Sequence, residues 1–255
     1  MTACNSPDGA QDLRAQLLEL YTRLAQKPDS DFGWGKGKEN ARLLGYAEAW
    51  LNRLPDCVWE SAAAVGNPFS LGPVQTGETV VDIGCGSGAD ACVAALMVGT
   101  EGKVFGFDCT PAMVSKAARN AIASGLGQVV FQEAEMTMLP LSDASADLVI
   151  SNGVINLATD KDAVLGEAFR ILRPGGRLQI ADMVRDPCGT DSACCCGRES
   201  WADCVSGTLR PDAFLDTLRK AGFIHAELVG FTTYRTSPDT IGALFRATKP
   251  DREIF

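Results

Sequence analysis

Residues 80–90 read VVDIGCGSGAD, and the reading of this stretch decides the fold. Val80, Val81 and Ile83 form a short β-branched run that stops at Gly84, which predicts a strand. Glycines recur at 86 and 88, and the alanine-rich ADACVAALMVG (89–99) that follows predicts a helix. Alternating glycines at a strand-to-helix turn let the main chain approach a ligand closely and leave the helix N-terminus facing it. The dinucleotide fingerprint spaces its glycines GxGxxG. Here the third glycine arrives one residue early, Ala89 follows it, and the acidic Asp82 precedes the set by two positions.

Outward from this turn, short apolar runs alternate with helical patterns. KVFGFD (103–108), QVVFQEA (128–134), ADLVISN (146–152) and GRLQIADMV (176–184) are expected strands. Between them, PAMVSKAARNAIAS (111–124) and KDAVLGEAFRIL (161–172) are expected helices. Strands alternating with helices of this length imply right-handed βαβ units and a mostly parallel sheet. The tail adds one helix, PDAFLDTLRKAGF (211–223), then two apolar runs, HAELVGFTTYR (225–235) and IGALFRATKP (241–250), expected to pair antiparallel at the sheet edge. The sum is a doubly wound α/β fold with a seven-stranded, mostly parallel, Rossmann-like sheet.

The N-terminal residues have a different character. QDLRAQLLELYTRLAQ (11–26) places Leu13, Leu17, Leu20, Tyr21 and Leu24 on one helical face. DFGWGKGKENARLLGY (31–46) reads as a loop leading into a short helix, and residues 46–65 as more helix interrupted at Pro55. Residues 1–75 are therefore expected to form a helical, lid-like region with Phe32, Trp34 and Lys36 in its loop, and residues 76–255 the main α/β domain.

Composition narrows the function classes. A formal net charge of −9 with no basic stripe argues against a nucleic-acid partner, because phosphate binding needs clustered Lys and Arg. No apolar run approaches the roughly 20 residues of a membrane span, and the N-terminus carries no secretory pattern, so the expectation is a cytoplasmic protein with no membrane partner. Ten cysteines in such a chain are expected to be free thiols. Cys57 and Cys92 sit among apolar residues, but ACCCGRESWADC (193–204) sets Cys194, Cys195 and Cys196 side by side near Cys204. That density suggests a soft-ligand site, a redox relay or an unconstrained loop. The single histidine, His225, lies far from the glycine turn at the start of a distal strand and is expected to have a structural or exposed role.

The D-x-G-x-G-x-G arrangement resembles motif I of the class I S-adenosylmethionine-dependent methyltransferases. The resemblance implies S-adenosyl-L-methionine as cofactor, bound by Asp82, Gly84, Gly86 and Gly88. It implies ribose binding by Asp108, with Cys109 beside it, and adenine contacts from Glu135 and Met136. Ser151 is then expected on the cofactor side and Asn152 facing the methyl group, and RILRPGGRL (170–178) matches the family's approach to its fifth strand.

A narrower resemblance is to arsenite methyltransferases. It rests on SNGVINLATDKDAVLGEAFRILRPGGRL (151–178), ESWADCVSGTL (199–209) and VGNPFSLGPVQTGETVVDIGCGSGAD (65–90), and covers roughly residues 60–225. It implies trivalent arsenic as substrate, held by thiolates with Cys204 as the matching residue, and glutathione or thioredoxin as reductant. Soft sulfur ligands suit a soft metalloid. No structural metal ion is expected. Two positions depart from the family: Gly153 stands where SNC would supply a cysteine, and Ala91 replaces a cysteine after the motif I region, with Cys92 one position later. The triplet Cys194–Cys196 is the candidate replacement. Two alternatives stay open: an organic small-molecule acceptor, with Gly153 making room for it, and a noncatalytic thiol-rich protein that sequesters metalloid or senses redox state.

Overall fold

The structure is a computed structural model that describes residues 7–188 and 207–251, with only the main chain described for 7–12. Four N-terminal helices, α1 (Pro7–Gln26), α2 (Gly37–Leu43), α3 (Glu48–Arg53) and α4 (Asp56–Trp59), precede the sheet. Then follow β1 (Thr79–Ile83), α5 (Ala89–Val98), β2 (Lys103–Asp108), α6 (Pro111–Ser124), β3 (Val129–Glu133), β4 (Ala146–Asn152), α7 (Lys161–Ile171) and β5 (Leu172–Arg185). Beyond residue 206 come α8 (Pro211–Lys220), β6 (Ile224–Phe231) and β7 (Thr240–Thr248).

The seven strands pair in the order β3-β2-β1-β4-β5-β7-β6. The first five are parallel, while β7 runs antiparallel to both β5 and β6. This is the expected doubly wound sheet with an antiparallel edge.

Alternation along the strands divides the core into two layers. Val80, Val104, Leu148 and Ile150 face α5 and the N-terminal Trp59 and Phe69. Val81, Ile83, Val149 and Ile180 face the opposite layer, with Val164 and Ile171 of α7 and Phe214 and Leu218 of α8. Central parallel strands covered on both faces need apolar residues at consecutive positions, which is why VVDI carries no simple alternation. Asp82 is the exception, and its burial is a matter for the site.

Two expectations are corrected. Residues 46–65 do not continue as helix: α4 stops at Trp59. Pro55 forces Leu54 into extended backbone at ψ 137°, and only one turn forms after it. The fifth strand starts at Leu172 rather than 176, absorbing the RPGG turn as an irregularity. Ala146 pairs with Leu172 while Leu148 pairs with Arg177, and Gly175 takes the extra length at φ +74°.

The N-terminal helices pack on one edge of this scaffold. Leu24, Ala25 and Phe32 meet Met113 of α6, and the Ser61 hydroxyl donates to the Leu24 carbonyl at 2.9 Å. Among the described residues, no helix is long and apolar enough to cross a membrane.

Candidate active site

In a doubly wound sheet, ligands bind outside the carboxyl ends of the strands where the strand order reverses. Here that point lies between β1 and β4. A cavity of about 990 Å³, open mouth included, occupies it. Its walls are the loops after β1, β2 and β4, and its cover comes from Leu17, Tyr21 and Leu24 of α1 with Tyr46, Trp59 and residues 61–64.

The glycine turn is built as its spacing predicted. Gly84, Gly86 and Gly88 all have positive φ, at +72°, +51° and +83°. A Cβ on Gly84 would lie 2.5 Å from Val154, and one on Gly88 would lie 2.7 Å from the Phe131 ring, so both positions need the bare backbone for packing. A Cβ on Gly86 would meet nothing within 4 Å. This glycine faces open space in the cavity wall.

Asp108 closes the turn from the second strand. Its carboxylate accepts from the Gly86 amide at 2.9 Å and the Thr110 amide at 2.8 Å. Burial pushes this carboxyl up, and the two amides pull it back. Asp82 is 2% exposed, and its Oδ2 has no hydrogen-bond partner. Burial, then the nearby Asp90 and Asp108, hold this carboxyl well above its ordinary range, against a bond from the Ala91 amide. An unpartnered buried carboxylate oxygen among like charges fits a cationic ligand group.

The structure places the remaining expected residues unequally. Cys109 and Met136 line the cavity. The Cys109 thiol is pushed up to about 11, by burial first and then by Asp108 and Glu135, which keeps it a thiol at neutral pH. Glu135 does not line the cavity: it is exposed and paired with Arg14 of α1. Ser151 is buried and donates across the sheet to the Ile83 carbonyl at 2.9 Å, away from the cavity wall. Asn152 does line the cavity, but its amide is fully engaged. Its Nδ2 lies 2.9 Å from Asp90 Oδ2, 2.9 Å from the Gly66 carbonyl and 3.1 Å from the Tyr46 hydroxyl. Its Oδ1 accepts from the Val65 amide at 2.9 Å. His225, at φ +53° and exposed, is the second residue of β6 at the far edge of the sheet.

Two members of this polar knot were not singled out in the sequence. The Tyr46 hydroxyl donates to Asp90 Oδ1 at 2.6 Å, tying the N-terminal segment to the first turn of α5. Asp90 could have been noticed from its place directly after the glycine set. Tyr46 carries no sequence signal, because its partners lie 44 and 106 positions away.

The cavity wall after β4 continues with Gly153, Val154 and Leu157. Gly153 has φ +69°, and a Cβ there would lie 3.1 Å from Val65 Cγ1. Cys92 is fully buried in the layer between α5 and the sheet, with its thiol pushed up to about 12 by burial, and it does not line the cavity. Cys194, Cys195, Cys196 and Cys204 lie outside the described residues.

A family model described as a methyltransferase domain matches residues 75–222. The chain belongs to this methyltransferase domain family. Its class is the S-adenosylmethionine-dependent class I, and S-adenosylmethionine is its cofactor. The methyltransferase is 40% identical over 163 residues to an arsenite methyltransferase of Halobacterium salinarum, covering 64% of this chain and 41% of that one. It is 36% identical over 193 residues to an arsenite methyltransferase of Aquipseudomonas alcaligenes, covering 71% and 55%. It thus spans about half the length of these curated relatives. Among solved structures, an arsenic(III) S-adenosylmethionine methyltransferase from Chlamydomonas reinhardtii superposes with a TM-score of 0.61 at 30% identity. That superposition covers 86% of this chain and 76% of the other.

Proposed function

We propose that this methyltransferase transfers the methyl group of S-adenosylmethionine to trivalent arsenic held by thiolate sulfur, as arsenite or methylarsenite. The observation that carries the reading is the 40% identity to the Halobacterium salinarum arsenite methyltransferase. In this reading Asp108 holds the cofactor ribose, Asp82 and the turn of Gly84, Gly86 and Gly88 hold its methionine end, and Met136 with Cys109 borders the adenine. Glu135 acts at the rim through its pair with Arg14. Ser151 and Asn152 act by positioning: the first ties β4 to β1, and the second ties the acceptor loop to Tyr46 and Asp90. The N-terminal region acts as the cover of the site through residues between Leu17 and Ala64.

When bound, the cofactor would supply an electrophilic methyl carbon to the arsenic lone pair, the As–C bond forming as the C–S bond breaks and S-adenosylhomocysteine leaves, with the arsenic, then formally pentavalent, returned to the trivalent state by an external thiol reductant. The protein's work is then orientation and exclusion of water. A nucleophile that carries its own lone pair needs no general base. The apolar acceptor wall of Ala63, Gly153, Val154 and Leu157 suits such a nucleophile. Cys204 is the proposed thiolate ligand, supplemented by Cys194, Cys195 or Cys196, with glutathione or thioredoxin as the external reductant.

A second reading, methylation of an organic small molecule, is favoured by one observation. Val65 fills the space beside Gly153, where the resemblance implies a thiol. Incubation with S-adenosylmethionine, glutathione and arsenite separates the two readings. Methylated arsenicals are expected by mass spectrometry, with turnover abolished by Cys204→Ser. Tight cofactor binding without any methylarsenical sinks the arsenic reading, and undiminished turnover in the Cys204→Ser variant removes Cys204 from it.

A further inference from the structure

Three buried side-chain atoms belonging to residues that line the cavity have no hydrogen-bond partner: Asp82 Oδ2, Ser87 Oγ and Trp59 Nε1. They come from the end of β1, from the glycine turn and from α4 of the N-terminal segment. The residues are 2%, 3% and 1% exposed. An unpaired buried polar group is costly to keep, and three around one cavity form a set. Its chemistry is also specific: one carboxylate acceptor and two donors, an indole N–H and a hydroxyl. An α-amino acid group presents the complement, an ammonium donor and a carboxylate acceptor. The methionine end of the cofactor is such a group.

Ser87 uses its carbonyl, not its hydroxyl, to accept from Asn120 at 2.9 Å. The indole of Trp59 is held edge-on against Tyr46, ring centroids 5.8 Å apart, and Tyr46 is itself fixed by Asp90. The cover over the cavity is thereby pinned to the glycine turn through one ring pair and one hydrogen bond.

We propose that Trp59 is a cofactor-binding residue. Its indole N–H, with the Ser87 hydroxyl, donates to the cofactor's α-carboxylate, while Asp82 accepts from the α-ammonium. The N-terminal segment then contributes a direct contact to the methionine end. This assignment rests on S-adenosylmethionine being the cofactor, and the experiment separates failure of the one from failure of the other.

The test is calorimetric binding of two thioethers, S-adenosylhomocysteine and 5′-methylthioadenosine, to the full chain. They share adenosine and a neutral sulfur, and only the first carries the amino acid end. Wild type is expected to bind both, and the first more tightly. Trp59→Phe keeps the ring contact with Tyr46 and removes only the donor. It is expected to weaken S-adenosylhomocysteine by about 10-fold or more, the scale of one hydrogen bond to a charged group. Binding of methylthioadenosine should not change. Ser87→Ala, which removes a single oxygen, is expected to show the same selectivity. Unchanged affinity for S-adenosylhomocysteine in Trp59→Phe overturns the proposal. So does an equal loss for both ligands, which marks Trp59 as merely structural. A wild-type chain that binds neither ligand overturns the cofactor assignment itself.

Discussion

Replacing Tyr46 with phenylalanine should loosen the attachment of the N-terminal segment to the catalytic edge by a predictable amount. The hydroxyl donates to Asp90 Oδ1 at 2.6 Å and lies 3.1 Å from the Asn152 amide nitrogen. Tyr46 is 4% exposed and Asp90 9%, so water does not replace what is lost. A hydrogen bond to a charged group contributes roughly 1.5–3 kcal/mol, and Asp90 keeps its second bond, from Asn152 at 2.9 Å. The expected loss is therefore about 2 kcal/mol. At roughly 2–4 °C per kcal/mol for a chain of this size, it lowers the melting temperature by about 4–8 °C.

The cost should depend on pH. Burial raises the Asp90 carboxyl, and the Tyr46 and Asn152 bonds lower it. Removing the hydroxyl lets it rise further, so the variant takes up its proton at higher pH than wild type. Protonation relieves the unpaired charge, and the gap between the two proteins should narrow as pH falls. Chemical denaturation of wild type, Tyr46→Phe, Asp90→Asn and the double variant measures both effects. A loss under about 0.5 kcal/mol, or strict additivity in the double-mutant cycle, would refute the reasoning, since contacting groups in one network must couple.

Other consequences are as specific. Gly88→Ala puts a Cβ 2.7 Å from Phe131 at φ +83° and should cost about 2–4 kcal/mol of stability, the sum of left-handed strain and overpacking. Gly86→Ala meets nothing within 4 Å; it should cost only about 1–2 kcal/mol from its φ while weakening cofactor affinity, seen by pairing thermal melts with calorimetry. Asp182, fully buried under the loop after β4, is pushed up to about 7 by burial against bonds from the Met183 and Asn156 amides. The folded chain therefore holds a proton that the unfolded chain has lost, and stability from this group falls as pH rises from about 4 to 7, at up to about 1.4 kcal/mol per pH unit. A ¹³C-carboxyl titration of Asp182 with a midpoint near 4 would contradict this. Gly153→Cys should be poorly tolerated alone, because φ is +69° and Val65 lies 3.1 Å from the new Cβ; pairing it with Val65→Ala should recover part of the loss in melting temperature.

The mostly parallel sheet and the glycine turn were legible in the sequence because each depends on local pattern. β-branched runs such as VVDI and DLVI must be buried on both faces, and glycines at 84, 86 and 88 have few uses besides positive φ at a strand-to-helix turn. Local pattern failed where main-chain geometry depended on a neighbouring strand, as in the irregular start of β5 opposite Ala146. It also failed after α4, where residues 60–65 looked helical but lie outside any helix, with 61–64 lining the cavity.

The site divides in the same way. Asp82, Asp108 and the three glycines could be named from the sequence because their roles follow from the ends of two adjacent strands. The packing of the whole chain decided that Glu135 turns to Arg14, that Ser151 ties two strands together, and that Asn152 is occupied by Asp90, Gly66, Val65 and Tyr46. No local rule brings Tyr46 and Trp59 over a turn at residues 84–88. Their positions come from burying one apolar layer shared by the N-terminal helices, α5 and the sheet. The sequence by itself determined the fold and the glycine turn of residues 84–88, because backbone conformation is set by near neighbours. The tertiary structure alone decided which side chains close the cavity, because a buried polar group takes whatever partner the finished packing provides.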